Sequence, residues 1–303
     1  MKFIIHVKPH LFRAFRQMKN LLIFSSYSAD DSIPPYVLHL LKNIQNSCAI
    51  TKTIFVWTGP KLSRLTYEAL RASNTEIVIR ENIGFDFGSY KHALARENPQ
   101  ESDYDGIFFA NDSVYGPFNS LKIAVAGHEL FDIWGMTDSW QHTYHLQTYF
   151  FYIRNTAFQE IQSFFHQYEI YTDHSDIVKY GEMKLAQWFL NRGKKLGCKF
   201  TVEKIVAHHL SDKPILKLIT SLKLIFSSFK KSKQVFLDFS PTKKLWKSCL
   251  HEGSPFIKRK LLVEKKNYKH HKEEWIQAIN PGYEVATQLA YESVTIERAR
   301  KAK

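Results

Sequence analysis

Four short apolar runs, each closed by a polar loop, constrain this chain more than any other feature. They cover residues 21–25, 53–57, 76–79 and 106–110. Their successive positions are apolar with little alternation, as in strands buried on both faces. Between the first two, Val37, Leu38, Leu40, Leu41 and Ile44 recur at helical spacing. Residues 62–72 predict a second helix and residues 90–96 a third. Strand and helix thus alternate, which predicts an α/β fold: a doubly wound, mainly parallel sheet with helices on both faces.

Beyond residue 117 the pattern changes. Residues 130–137 and 145–154 read as further strands, and residues 158–168 and 176–196 as helices. Gly197 is placed to close the last of these as a C-cap. From residue 211 the chain turns basic, so the expected division is a residue 1–210 unit and a basic, mainly helical C-terminal region, 211–303. Between positions 213 and 272 sixteen Lys and Arg face three acids, an excess equal to the net +13 of the whole chain. Residues 214–229 predict an amphipathic, cationic helix, followed by Lys230, Lys231, Lys233, Lys243, Lys244 and Lys247. Such asymmetry points to a polyanionic partner, and an anionic membrane surface is the expected one. Nucleic acid is not expected: Lys outnumbers Arg there, and no RRM, helix-turn-helix or KH pattern occurs.

Cys48, Cys198 and Cys249 are widely spaced and form no ligand motif, which fits a reducing compartment. The apolar start, residues 1–7, is too short for a signal peptide, and no uncharged apolar stretch is long enough to span a bilayer.

In open α/β sheets ligands bind beyond the carboxyl ends of the strands. Two polar loops follow strands there. The first holds Asn82, Gly84, Asp86 and Gly88, where glycine permits close approach and a helix start can receive a diphosphate. The second holds Asn111, Asp112 and Ser113, with Asp112 placed to bind a divalent cation, Mg²⁺ or Mn²⁺, that bridges two phosphates. Competing roles are a helix cap for Asp86 and an Asx-turn for the second loop. A third cluster is Trp134, Asp138, His145 and Gln147, where Asp138 and His145 could face one cleft as a general base and a metal or phosphate ligand. Glu182 is the alternative base. There is no G-x-S-x-G elbow, no P-loop and no HExxH. A nucleotide or phosphate-ester hydrolase using the same pocket, with a placed water, is the competing enzyme class.

Together these motifs resemble the rhamnan synthesis F family of bacterial polysaccharide glycosyltransferases. The matching pieces are residues 22–41, 80–90, 104–117, 132–137 and 145–150, then Tyr180, Gly181 and Glu182, and finally residues 255–259. The resemblance implies a GT-A-like fold and a nucleotide-sugar donor, dTDP-L-rhamnose. It implies rhamnose transfer onto a lipid-linked or polysaccharide acceptor such as rhamnan, O-antigen or capsule. The site implied is cytoplasmic and peripheral, on the inner face of the cell membrane. In GT-A enzymes an acidic strand-end motif holds a metal on the diphosphate, and Asn111, Asp112 and Ser113 occupy that place with a single carboxylate. Donor contacts then fall to Asn82, Gly84, Asp86, Gly88, Asn111, Asp112 and Ser113. Acceptor or phosphate contacts fall to Trp134, His145 and Gln147, and the base is Asp138 or Glu182.

Overall fold

A computed structural model describes residues 18–71, 74–211, 239–264 and 274–302. The helix expected at 214–229, with Lys230, Lys231 and Lys233, lies outside the described residues. The first half follows the predicted alternation: β1 (Asn20–Ser26), α1 (Pro35–Ser47), β2 (Ile50–Trp57), α2 (Arg64–Arg71), β3 (Thr75–Ile79), α3 (Phe85–Glu97) and β4 (Gly106–Asn111). These strands lie in the order β3-β2-β1-β4, all parallel.

Both faces of that sheet are buried, and the parity of the pleat sorts its residues. Leu22, Phe24, Phe55, Trp57 and Phe108 enter one core. Leu21, Ile23, Ile54, Val56, Ile107 and Phe109 enter the other. α1 seals the first face with Tyr36, Val37, Leu40, Leu41 and Ile44, and α3 supplies Phe87, Tyr90, Ala93 and Leu94 to the second.

The second half makes the sheet mixed. β5 (Val114–Tyr115), β6 (Ile133–Ser139), β7 (His145–Leu146), β8 (Phe150–Arg154) and β9 (Leu196–Phe200) follow in the chain. β8 runs antiparallel between β4 and β6, β7 pairs with the end of β6, and β9 runs parallel to β6. The single strand expected at 145–154 is therefore two, because β7 pairs beyond the end of β8 and the chain steps across at Gln147 and Thr148. The helix expected to reach residue 196 ends at Leu190. Gly193, at φ +68°, turns the chain instead of Gly197. Gly197 sits inside β9 beneath the Phe131 ring, where a Cβ would collide with the ring.

The C-terminal region is largely helical and tied by ion pairs. Phe239, Trp246, Leu250, Phe256, Leu261, Leu262 and Trp275 join the same core as Leu22, Phe24 and Phe108. The closing helix (Glu284–Ala302) buries Ala286, Ala290 and Val294, one stripe at intervals of four. Arg300 meets Asp30 at 2.7 Å, and Arg259 meets Glu297 at 3.2 Å. β10 (Ile257–Lys258) pairs antiparallel with β5, so this late segment lies directly beside the loop that follows β4. The whole is a GT-A-like core: a twisted sheet flanked by helices, with its parallel strands ending at one edge. Among the described residues no helix is long and apolar enough to cross a membrane.

Candidate functional site

Three segments far apart in sequence meet at the carboxyl edge of the parallel strands. The first is the end of β4. Asn111 makes the turn: its Oδ1 accepts from the Ser113 amide at 3.1 Å and from Ser113 Oγ at 2.6 Å. This is an Asx-turn, and it leaves Asn111 Nδ2 pointing away from the loop. Nδ2 donates to Asp86 Oδ2 at 2.6 Å, so the two polar loops are joined directly. Asp112 follows. Its Oδ2 accepts from Ser26 Oγ at 2.9 Å and from the Tyr27 amide at 3.0 Å, which locks it to the end of β1. Burial pushes the Asp112 carboxyl upward, opposed chiefly by the Arg259 guanidinium.

The second segment is the start of α3. The helix begins at Phe85, earlier than its apolar spacing indicates, so Asp86 and Gly88 belong to its first turns rather than to a free loop. Gly84 holds φ +78° at the N-cap, and a Cβ there would meet Ile170 Cγ2 at 2.6 Å. A Cβ on Gly88 would run into the Ile83 carbonyl. Both glycines are therefore required by the helix start itself. Asp86 Oδ1 accepts from the Phe87 amide at 3.0 Å. Burial, and then the nearby Glu182 charge, raise the Asp86 carboxyl to about 6. Asn82 is exposed at the rim.

The third segment is the late one. The Arg259 amide donates to the Ser113 carbonyl at 2.9 Å, continuing the β5–β10 pairing. Arg259 Nη1 donates to the Asp112 carbonyl at 3.2 Å and lies 3.7 Å from Asp112 Oδ1. Its Nη2 pairs with Glu297, which also accepts from the Tyr115 hydroxyl at 3.1 Å. Lys258 projects from the other side of the same strand, with Nζ 4.1 Å above the Tyr149 ring.

Glu182 lies near enough to Asp86 for its charge to act on that carboxyl. It ends a π-helical turn (Ile177–Glu182) whose Gly181 packs on the Phe87 ring, 2.9 Å from where a Cβ would stand. Such turns re-aim side chains and recur at functional sites. Glu182 Oε1 is 3.8 Å from His145 Nε2, and His145 Nδ1 lies 2.8 Å from the Thr143 carbonyl.

The third cluster expected from the sequence does not assemble. β6 and β7 pair Asp138 with Leu146 and Ser139 with His145. Residues of adjacent register point to opposite faces, so Asp138 and His145 do not share a cleft. Asp138 Oδ1 instead accepts from the Val202 amide at 2.7 Å, at the start of the helix Val202–Ser211. Trp134 is 1% exposed and packs against Phe150 and His128 in the core, so it cannot touch an acceptor. Gln147 is buried as well. It accepts from Thr137 at 2.8 Å and from Thr242 at 3.0 Å, and donates to Ser240 at 3.1 Å, tying the sheet to the C-terminal region.

Asp138 yields a stability prediction. Burial raises its carboxyl from 3.8 to about 6. A raised folded value means that this group's contribution is full below about 4 and lost as the pH rises through about 6. The cost at neutral pH is at most about 3 kcal/mol. Asp138→Asn is therefore expected to melt higher, relative to the wild type, at about pH 8 than at about pH 4, by several degrees. Calorimetry at the two pH values checks this, and a pH-independent difference would contradict it.

Lys258, Arg259, Ser26 and Glu297 carry no signal of a role in local periodicity. Only the spacing of the 255–259 motif draws attention to two of them.

The family model described as Rhamnan synthesis protein F matches residues 54–225. The Virulence protein VirA of Vibrio anguillarum is 30% identical over 257 residues, covering 83% of this chain and 82% of that protein. Among solved structures, the mannosyltransferase PcManGT from Pyrobaculum calidifontis, in complex with GDP-Man and Mn²⁺, aligns at a TM-score of 0.42 and 10% identity, covering 95% of this chain and 87% of that one. The glycosyltransferase GlyE of Streptococcus pneumoniae TIGR4 aligns at 0.38 and 9% identity, covering 93% and 63%. With the family model spanning more than half of its length, the chain belongs to the Rhamnan synthesis protein F family.

Proposed function

We propose that this protein is a glycosyltransferase of the nucleotide-sugar class that moves L-rhamnose from dTDP-L-rhamnose onto a growing cell-surface polysaccharide. Family membership and the GT-A-like core support the transferase class. The observation that carries the reading is the convergence of Asp86, Asn111, Asp112, Glu182 and Lys258 near one strand edge, acids and a cation within electrostatic reach of one another. Asn111 and Asp112, held rigidly by β1 and Arg259, form the donor floor. Asp86 is a partner for donor hydroxyls.

A divalent cation carried in on the diphosphate would find Asp112 Oδ1 as its protein ligand. Asp112 Oδ2 is already filled by two donors, while the Arg259 guanidinium stands 3.7 Å from Oδ1. Among the described residues no group of three or more His, Cys, Asp and Glu is assembled for a metal. One carboxylate is nonetheless enough for Mg²⁺ on a diphosphate, which takes its remaining ligands from phosphate and water. The ion would neutralise leaving-group charge.

In a single displacement with inversion, the acceptor hydroxyl attacks the anomeric carbon. The bond from that carbon to the diphosphate oxygen breaks, and the hydroxyl proton passes to a carboxylate. We assign that carboxylate to Glu182, which lies on the cleft side with His145 beside it, ahead of Asp138, which caps a helix. Purified protein incubated with dTDP-L-rhamnose, UDP-glucose or GDP-mannose and a lipid-linked oligosaccharide acceptor tests the reading. Product from dTDP-rhamnose supports it. Product from another donor alone moves the sugar but keeps the class, and no product with any donor sinks it.

The acceptor's lipid places the work at an anionic leaflet on the cytoplasmic side. Lys243 and Lys244 are exposed, whereas Lys247 is paired with Glu274 at 2.7 Å. The protein is expected to sediment with anionic vesicles at low salt and to release at high salt, each surface lysine adding on the order of 1 kcal/mol. Equal sedimentation with neutral vesicles would remove the electrostatic basis.

A further inference from the structure

Lys258 is a cation without a counterpart. Its neighbour Arg259 meets Asp112 and Glu297 through its two Nη atoms, while its Nε has no hydrogen-bond partner among the described residues. The Lys258 ammonium, by contrast, forms no hydrogen bond or ion pair among the described residues and rests over the Tyr149 ring at 4.1 Å. Tyr149 cannot neutralise it, since burial holds its phenol uncharged. Burial lowers the ammonium to about 8, with Glu182 and Asp86 holding the proton on and Lys243 and Lys260 opposing them. A half-buried ammonium with no hydrogen-bond or ion-pair partner is completed by an anionic ligand.

The surroundings define that ligand. Lys258 lies within electrostatic reach of Lys243, in the helix Pro241–Lys244, and of Lys260, in the helix Arg259–Val263, and Lys260 Nζ is 3.2 Å from His174 Nε2. The carboxylates Asp86 and Glu182 lie within the same reach. The backbone pairing of Lys258 with Val114 fixes this cation beside the Asn111–Asp112–Ser113 turn. A ligand that fits carries a compact multiple negative charge at one end and hydroxyls at the other.

We propose that Lys258 is the protein cation that binds the diphosphate of the donor nucleotide, with Lys243 and Lys260 beside it. The inference rests on the nucleotide-sugar reading above. As the bond from the sugar to the diphosphate breaks, negative charge grows on the departing phosphate oxygen, and a lysine already desolvated beside it stabilises that charge without reorganisation. The late 255–259 segment then belongs to the donor site, even though it lies far from the strand-end motifs in sequence.

Calorimetric titration tests this with dTDP, dTMP and thymidine, and with UDP and GDP, Mn²⁺ being present throughout. Lys258→Met is expected to weaken nucleoside diphosphate binding by roughly tenfold or more, as for loss of a charge-assisted contact, while monophosphate and nucleoside binding change by less than about threefold. Lys258→Arg is expected to recover most of the loss. The paired variant Lys243→Gln, Lys260→Gln, at exposed or half-exposed positions, should weaken the same ligand by a smaller factor, and it serves if the Met variant fails to fold. Diphosphate affinity unchanged in Lys258→Met, with the wild type binding normally, overturns the assignment and leaves the transferase reading standing. A wild type that binds none of these diphosphates overturns both.

Discussion

Asp112→Asn is expected to lower transfer by roughly a thousandfold or more, about 4 kcal/mol of transition-state stabilisation, with little change in melting temperature. The fold should tolerate the change because the amide oxygen can still accept from Ser26 Oγ and the Tyr27 amide, which hold the side chain at 2.9 and 3.0 Å. What disappears is the negative charge facing Arg259 at 3.7 Å, and with it the oxygen proposed to meet the metal-borne diphosphate. Arg259 keeps its bonds to the Asp112 carbonyl and to Glu297, so it is not released into the cleft. Turnover, diphosphate affinity and a melting curve on the same preparation separate the effects. Activity within about threefold of the wild type would remove Asp112 from the chemistry, since a direct ligand or charge at the leaving group is worth far more than that. A melting temperature lowered by ten degrees or so would show instead that the carboxylate mainly holds β1 to β4.

The parallel half of the sheet was legible because its strands are buried on both faces. Residues such as Leu21 and Leu22 go to different cores, so the sequence shows a continuous apolar run that only a central strand explains. The helices facing it were legible for the same reason. Where reading by period fails, the cause is register or distance. Asp138 and His145 look close along the chain, yet a hairpin offset of one position sends them to opposite faces. β9 contains Gly197 and Lys199 and is only partly buried, so it lacks the apolar signature of the inner strands. Gly197 reads as a stop signal, and only the Phe131 ring lying over it explains the glycine.

The site shows the same division. Asp86, Asn111 and Asp112 follow strand ends and could be found by position alone. The bond from Asn111 to Asp86 could not be read that way, because it depends on an Asx-turn that fixes which end of the amide points outward. The placement of Lys258 and Arg259 beside this turn rests on the two-residue ladder β5–β10, a contact across more than a hundred positions that no local pattern encodes. The closing helix is similar. Its buried face is Ala286, Ala290 and Val294, small residues that make a faint stripe, yet it carries Glu297 to the second side of Arg259.

Glu182→Gln carries the second large expectation: kcat falls by about two to four orders of magnitude, while the donor KM and nucleoside diphosphate affinity stay within about twofold. A base acts on the acceptor hydroxyl as it attacks, so its removal should appear in turnover and not in ground-state donor binding. Glutamine preserves the shape of the side chain and its packing at the end of the π-helical turn, so the loss would report charge and basicity rather than collapse. The position of Glu182 depends on Gly181 lying against Phe87, which brings the carboxylate to within 3.8 Å of His145 and within electrostatic reach of Asp86. His145→Gln is expected to reduce turnover less, on the proposal that the imidazole, 3.8 Å away, influences the carboxylate without taking the proton itself. Equal losses of kcat and of diphosphate affinity in Glu182→Gln would move Glu182 to the donor side. Turnover unchanged in Glu182→Gln but abolished in Asp138→Asn would return the base to Asp138 and require the helix at Val202 to open during the reaction, since that carboxylate is now bonded to the Val202 amide at 2.7 Å.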